Sequence, residues 1–318
     1  MSSNPDTSND HILSSDNIHY LHHKFFEPSE KDTAVKATLL IVHGMAEHSG
    51  RYAEFAQFLA DHGIAVATYD QLGHGQTVKT EADLGFFGEE HPVQSLLKDV
   101  IVMADSLKAR HPSVPHFVMG HSMGSFIVRN VLKHHAHDFS GAILMGTAAA
   151  NPLTKVLLPV NKLLAKVAPR QPNTVLANLM NKVLNLQLKD RTSSSQFAWL
   201  SENTANIEAF EADPRCGFAF TNNGFMTLFA LMQAGLNNRW STTIAKNFPM
   251  LFISGESDPI GEMSKGIRKI VTRLNKQNFS AVDIQLYPDM RHEPLHEKDK
   301  QLVYQDILEW LENTTSDS

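Results

Sequence analysis

Apolar runs alternate with amphipathic stretches from about residue 18 to residue 146, and the alternation resumes at Phe248. The run Thr38–Val42 contains four consecutive aliphatic residues, as is typical of a strand buried on both faces of a parallel sheet. Residues 52–59 then place apolar side chains at helical spacing, and a second strand is predicted over 64–69. Repeated units of strand, helix and strand predict an α/β protein with a mainly parallel central sheet flanked by helices.

The pattern changes between residues 151 and 238, where helical periodicity dominates, as in the stretch from Leu153 to Val167. A chain of 318 residues can hold one large domain with an insertion. We therefore predict a core formed by residues 17–150 and 239–313, with a helical cap inserted over 151–238. The polar residues 1–16 are predicted to be disordered.

Composition and charge argue against several classes of function. The net charge of −6 would repel a phosphate backbone, and no Lys/Arg cluster is interleaved with aromatic residues, so nucleic-acid binding is not expected. The chain begins without the basic and apolar regions of a signal peptide, and charges or prolines interrupt each long apolar run. With a single cysteine, Cys216, these features favour a soluble cytoplasmic protein.

The segment 120–124, Gly-His-Ser-Met-Gly, matches G-x-S-x-G and lies between an apolar run and a helical stripe. This is the context of a strained strand-to-helix turn that exposes a nucleophilic serine. Gly120 and Gly124 are expected because a side chain at either position would meet the neighbouring strand or helix. Since such a pentapeptide also occurs in ordinary turns, Ser122 is a candidate nucleophile only if its partners follow downstream.

A serine hydroxyl needs a histidine that takes its proton and a carboxylate that orients the histidine. In folds with this turn, the chain order is serine, acid, histidine. Asp258 follows the predicted strand 248–254, and His292 follows a strand whose apolar residues alternate over 282–286. Because both lie at the carboxyl ends of strands, where open α/β sheets bind ligands, we predict the triad Ser122, Asp258 and His292.

Each partner of the serine has rivals in the sequence. Glu256 competes with Asp258 for the acid, and His296 and His121 compete for the base. His121 adjoins the serine on the turn and is expected to point away from the reaction. Asp70 also ends a strand but precedes the serine, which favours a role in stabilising a turn.

Residues 292–296, His-Glu-Pro-Leu-His, also fit the H-E-x-x-H motif of zinc proteases. That motif requires a continuous helix with both histidines on one face, and Pro294 disfavours this geometry. The segment leaves a strand and has no evident third ligand. We therefore predict no metal site here.

The charge that develops on an attacked carbonyl oxygen needs hydrogen-bond donors that are already in place. The backbone N–H of Met123, next to the serine, is one candidate. The second is expected in the loop 43–48, where the N–H of Met45 is best placed and Gly44 allows close approach of the backbone. Alternatively, His43 and Gly44 only end a strand.

Together these segments resemble the monoglyceride lipase and lysophospholipase branch of the α/β-hydrolases, over nearly the whole chain. The resemblance rests on the block 43–52, the D-x-x-G-H-G-x block 70–76, the turn 120–124, Asp258-Pro259-Ile260 and Arg291-His292-Glu293. It implies an α/β-hydrolase fold and cofactor-free hydrolysis of monoacylglycerols, lysophospholipids or simple esters. It also assigns the triad to Ser122, Asp258 and His292 and the oxyanion donors to Met45 and Met123.

Other functions remain open at this point. The same triad serves amidases, peptidases and acyltransferases, and a non-catalytic binding protein can retain the fold. The apolar residues of the cap can form core, line an acyl-chain tunnel or make transient contact with a membrane surface. The sequence predicts an ester or lipid as the small-molecule substrate and does not predict the oligomeric state.

Overall fold

The computed structural model describes residues 11–30, 32–150, 152–189 and 193–316. Across the sheet the strands follow the order β1-β3-β2-β4-β5-β6-β7; β1 is antiparallel to β3, and every other neighbouring pair is parallel. The strands are β1 His23–Phe26, β2 Ala37–Val42, β3 Ile64–Tyr69, β4 His116–His121, β5 Gly141–Met145, β6 Met250–Gly255 and β7 Val282–Tyr287. This confirms the predicted α/β fold with a mainly parallel sheet.

Helices cover both faces of the sheet, as expected when parallel strands are joined by helical crossovers. They are α1 Ala53–Asp61, α2 Pro92–Arg110, α3 Met123–His135, α4 Thr154–Val167, α5 Thr174–Asn185, α6 Thr204–Ala212, α7 Asn222–Gly235, α8 Lys265–Lys276 and α9 Lys300–Ser316. Strand β2 divides its side chains between two cores, because successive residues point to opposite faces. Leu40 and Val42 belong to the core that also contains residues of α2, α3 and α8, whereas Leu39 and Ile41 belong to the core that contains residues of α1 and α9.

The helices α4 to α7 lie between β5 and β6 in the chain, within the segment for which a cap is predicted. Helix α7 packs against α3 so closely that a Cβ on Gly235 would come within 2.8 Å of the carbonyl oxygen of Phe126. Helices α4 and α5 instead expose many apolar side chains. The boundaries of the cap stay a prediction, since α7 belongs to the packed core as much as to the insertion.

The predicted disorder of residues 1–16 does not extend to the described part of this segment. The Ser14 hydroxyl donates to Asp99 of α2 at 2.8 Å, and the Ser15 N–H donates to the same carboxylate at 2.7 Å. Residues 1–10 lie outside the described residues. No helix in the described ranges combines the length and apolar character needed to cross a bilayer.

Candidate active site

Ser122 lies at the junction of β4 and α3 with φ of 51° and ψ of −118°, a conformation that is strained for a residue with a side chain. Both flanking glycines are required by close contacts. A Cβ on Gly120 would lie 2.4 Å from the carbonyl oxygen of Gly124, and one on Gly124 would lie 2.0 Å from that of Val42. The turn therefore packs against both its helix and strand β2, as the sequence argument requires, and Ser122 remains partly exposed.

The structure brings the other two predicted residues together. Nδ1 of His292, in the loop after β7, lies 3.1 Å from both carboxylate oxygens of Asp258, in the loop after β6. Asp258 also accepts from the Ile260 N–H at 2.8 Å and the Ser254 hydroxyl at 3.0 Å. Burial opposes its charge, but His292 and these hydrogen bonds outweigh burial and lower the pKa of Asp258. With Nδ1–H donating to Asp258, Nε2 of His292 is left to accept a proton.

Two glycines that the motif search did not single out leave room for His292 and for the loop that carries it. Gly146, after β5, has φ of 57°, and a Cβ there would lie 2.9 Å from Cε1 of His292. A Cβ on Gly255, at the end of β6, would lie 2.1 Å from the carbonyl oxygen of Met290. In the sequence, both positions are visible only as glycines at the ends of predicted strands. That feature does not indicate which loop packs against them.

The loop after β2 is held rigidly on both sides of Met45. The Gly44 N–H donates to Oε1 of Glu47 at 2.6 Å, and the Ala46 N–H donates to Nε2 of His74 at 3.2 Å. Because these neighbouring amides are engaged, the Met45 amide sits between two fixed points. Met123 is the first residue of α3, and the first amides of a helix have no carbonyl partner within it. Both proposed oxyanion residues line the same cavity as Ser122.

Beneath the site lies a buried network of charged side chains centred on Arg51. Its Nη1 lies 2.7 Å from Glu47 and 2.7 Å from Glu293, and its Nη2 contacts Glu293 at 2.7 Å and Asn206 of α6 at 3.0 Å. Burial raises the pKa of Glu293, but the Arg51 charge outweighs it and leaves that pKa at about 2. The network joins the Met45 loop, through Glu47, to the loop that carries His292. Sequence reasoning did not find it.

His121 is a hydrogen-bonded member of this network. Its Nε2 lies 3.1 Å from the carbonyl oxygen of His292, which can only accept, so Nε2 carries a hydrogen. Its Nδ1 lies 3.1 Å from Glu47 and 2.9 Å from the hydroxyl of Tyr52, which itself donates to Glu47. Burial lowers the pKa of His121, but the hydrogen bond to Glu47 outweighs burial and raises that pKa above its usual value.

The rival residues have other partners. Asp70 accepts from the Ser49 N–H and hydroxyl and from the Gln76 N–H, at 2.6 to 2.7 Å, and so holds its turn together as predicted. Glu256 lies at the surface beside Arg268. Residues Pro294–His296 form a short 3-10 turn, and His296 packs edge-on against Tyr52. The H-E-x-x-H segment is therefore not a helix with two histidines on one face.

Within the described part of the chain, His48, Asp213 and Cys216 place atoms of metal-ligand type within 4.8 Å of one another. The tautomer of His48 argues for hydrogen bonding instead of metal binding. Its Nδ1 accepts from the Gly50 N–H at 3.2 Å, so Nε2 carries the hydrogen and donates to Asp213 at 2.9 Å. A metal on Nε2 would require a proton on Nδ1, facing the Gly50 N–H. Burial also raises the pKa of the Cys216 thiol to about 12, which disfavours a thiolate ligand.

Ser122 and His292 open into a cavity of about 300 Å³ between the sheet and the insertion. Most of its lining is apolar, from Phe126, Met180, Leu184, Leu228 and Met232. Its polar lining includes Glu47, His121 and Glu293, and a Cβ on Gly44 would lie within 3.2 Å of Glu47, His121 and Ser122, so the first two lie close to the serine. No lysine or arginine is among the described residues that line the cavity.

Known proteins with the same architecture give this site its context. A carboxyl esterase from Bacillus coagulans superposes with a TM-score of 0.86 at 24% identity, over 95% of this chain and 97% of its own. The monoacylglycerol lipase of Mycolicibacterium smegmatis is 27% identical, covering 88% of this chain and 89% of the relative. Human monoglyceride lipase is 26% identical, covering 96% and 91%.

The fold and these relatives define the class: this is a carboxylic ester hydrolase with an α/β-hydrolase fold. The more particular assignment comes from a family model described as serine aminopeptidase, S33, which matches residues 33–299. Because this match spans most of the chain, the protein belongs to that family.

Proposed function

We propose that this protein hydrolyses the ester bond of monoacylglycerols through an acyl-enzyme intermediate. Ser122 Oγ attacks the ester carbonyl while His292 Nε2 takes its proton, and Asp258 holds the imidazole in the required tautomer. His292 then gives the proton to the departing glycerol oxygen, and water repeats the sequence to release the fatty acid. The amides of Met45 and Met123 stabilise the oxyanion. The observation that carries this proposal is the hydrogen-bonded pair Asp258 and His292 on one apolar cavity with the strained Ser122.

The cavity favours an uncharged headgroup. Its apolar part suits an acyl chain, whereas the polar end presents hydrogen-bonding groups and the carboxylates Glu47 and Glu293. Because no lysine or arginine lines the cavity in the described ranges, a phosphodiester headgroup would meet no Lys or Arg counter-charge there. A glycerol headgroup can use the hydrogen bonds without this penalty. We therefore place monoacylglycerols ahead of lysophospholipids.

We further propose that the exposed apolar face of α4 and α5 makes transient contact with lipid surfaces. Its members are Leu153, Val156, Val160, Leu163, Leu164, Val167, Val175, Leu179, Val183 and Leu186, all largely exposed. Lys155, Lys162 and Lys166 are exposed among the residues of α4. An apolar face of this extent, flanked by lysines, suits an element that lies in the plane of a membrane surface. This face adjoins the cavity, since α5 supplies Met180 and Leu184 to its lining.

A substrate panel tests the proposal. We expect faster turnover of monoacylglycerols than of lysophosphatidylcholines with the same acyl chain. The panel includes aminoacyl p-nitroanilides, because the matching family model is described as an aminopeptidase. A fluorophosphonate probe followed by mass mapping should label Ser122. Preference for the anilides, or a label on another residue, would overturn the assignment.

A further inference from the structure

Two other rings contact the ring of the candidate base. The His121 ring centroid lies 4.9 Å from that of His292, with an interplanar angle of 43°. The Trp199 ring centroid lies 5.0 Å from it, with an interplanar angle of 46°. Trp199 also lines the cavity beside Ser122. The role of this indole follows from neither the triad nor the oxyanion site.

The backbone around Trp199 is tied directly to the loop of the base. The Glu293 N–H donates to the carbonyl oxygen of Leu200 at 2.9 Å. The Arg291 guanidinium donates to the carbonyl oxygens of Ala198 and Ser201 at 2.6 and 3.1 Å. These bonds fix the turn on both sides of Trp199 relative to both chain neighbours of His292. The indole is therefore preorganised against the imidazole.

The indole is also hydrogen-bonded to a helix of the insertion. Its Nε1–H donates to Oδ1 of Asn181, in α5, at 3.0 Å. With its N–H bonded to α5 and its ring 5.0 Å from that of His292, Trp199 links α5 to the base.

The charges around His292 explain why such a ring matters. Asp258 faces Nδ1 from the loop after β6, and His121, which is bonded to Glu47, lies beside the ring at the end of β4. In its own loop, Arg291 pairs with Glu202, and Glu293 pairs with Arg51. Glu47 is bonded to His121 and Arg51, and Glu262 stands at the cavity wall. When His292 takes a proton, a positive charge therefore forms in a buried cluster, between Asp258 and the rings of His121 and Trp199.

We propose that the indole of Trp199 stabilises the imidazolium that His292 forms each time it accepts a proton, and that Asn181 holds the indole in the effective position. The inference rests on the proposed function, because it assigns His292 the proton of Ser122. An indole face attracts a cation more strongly than the other aromatic rings do, and more so where water is excluded. The proton itself still moves from Ser122 Oγ to His292 Nε2 and on to the leaving oxygen.

The direction of the pH effect separates this role from simple packing. Without the indole face, the imidazolium loses stabilisation, so the acid limb of the pH–rate profile should move to lower pH. If Trp199 only fills space, replacing it with leucine would admit water, favour the charged imidazole and move the limb to higher pH.

The experiment follows the rate at which a small soluble fluorophosphonate inactivates the enzyme, as a function of pH. For Trp199→Leu, the midpoint should fall by roughly half a pH unit to one unit and the plateau rate by roughly three- to tenfold. Trp199→Phe, which keeps a weaker ring face, and Asn181→Leu, which frees the indole, should show smaller shifts of the same sign. Trp310, a half-buried residue of α9 that donates to Asp283, supplies the matched control, and Trp310→Phe should show the wild-type midpoint.

Two results keep this inference separate from the proposed function. If the wild-type label maps to Ser122 and His292→Ala abolishes labelling, but the Trp199→Leu midpoint stays or rises, the role of the indole is wrong and the hydrolase assignment stands. If the label maps elsewhere, the proposed function fails, and this inference fails with it. Should Trp199→Leu not fold, the sign of the midpoint shift in Trp199→Phe and Asn181→Leu decides.

Discussion

Beneath Ser122, charged side chains are buried and bonded to one another, whereas on α4 and α5 apolar side chains are exposed. Arg51, Glu47 and Glu293 are almost fully withdrawn from solvent, with hydrogen bonds of 2.7 Å. On the outer helices, Val167 and Val175 are 78% and 79% exposed. Each region reverses the usual distribution of polar and apolar residues.

The two reversals have different physical consequences. Buried charges demand fixed geometry, because a charge that loses its partner in the interior is strongly destabilising. Exposed apolar side chains require no fixed partners, and they are stabilised only when other apolar groups cover them. The polar network thus suits a site whose catalytic geometry must be fixed. The outer helices suit contact with a lipid surface that contains the substrate. Trp199 and Asn181 connect the two regions.

The largest effect is expected at the centre of the rigid region. Ser122→Ala should lower kcat by roughly three orders of magnitude or more, because no other nucleophile replaces the hydroxyl. Thermal unfolding should be nearly unchanged, since Ala leaves the contacts of Gly120 and Gly124 in place. Activity is measured with a soluble ester so that interfacial binding does not contribute. Near-normal turnover would remove Ser122 from the mechanism.

In the region around Ser122, the sequence predicts the candidate catalytic residues but not the residues that position them. The strand over 64–69 and the order of Ser122, Asp258 and His292 follow from local patterns. The contact between Arg51 and Glu293 joins residues 242 positions apart, and no local periodicity encodes it. For the same reason Trp199 gave no indication of its place beside His292. A triad has a fixed chemical order, whereas its supports depend on how loops cross in three dimensions.

The second prediction breaks the buried network itself. Arg51→Met should destabilise the protein by roughly 3–5 kcal/mol, because it removes the guanidinium that both buried carboxylates, Glu47 and Glu293, contact. It should lower kcat/KM by roughly a hundredfold, because Glu47 holds the Met45 loop and Glu293 adjoins the base. Chemical denaturation and ester hydrolysis measure the two effects.

Arg51→Lys provides the comparison for that variant. It keeps the charge but cannot reproduce the paired contacts with Glu293, so its stability and activity should fall between wild type and Arg51→Met. If Arg51→Met were as active as wild type, the network would not position the catalytic loops.

The third prediction concerns the exposed region. The double variant Val175→Glu and Leu179→Glu should bind phospholipid vesicles roughly tenfold more weakly, because both positions would lie in the apolar boundary of the membrane. Its hydrolysis of a soluble short-chain ester should be unchanged. Leu302→Glu, on α9, is the matched control, since Leu302 is an exposed leucine outside the insertion. Equal vesicle binding by the double variant and wild type would contradict a lipid-facing role.

The smallest effect tests whether a buried histidine next to the network limits stability in acid. Burial and the Arg51 charge lower the pKa of His296 to about 3, and no described residue bonds to its Nε2. The native state therefore keeps His296 neutral, whereas the unfolded chain takes up a proton below the ordinary histidine pKa of 6.5. The free energy of unfolding is unaffected by this group above pH 6.5 and falls as the pH drops from 6.5 towards 3. His296→Phe preserves the edge-on contact with Tyr52 and should retain about 0.7 kcal/mol that wild type loses between pH 7 and pH 6. Denaturation at several pH values measures how the free energy of unfolding depends on pH. Replacing the exposed His137 by phenylalanine is the control and should leave the wild-type dependence unchanged. The same dependence in His296→Phe as in wild type would mean that His296 contributes nothing to acid sensitivity.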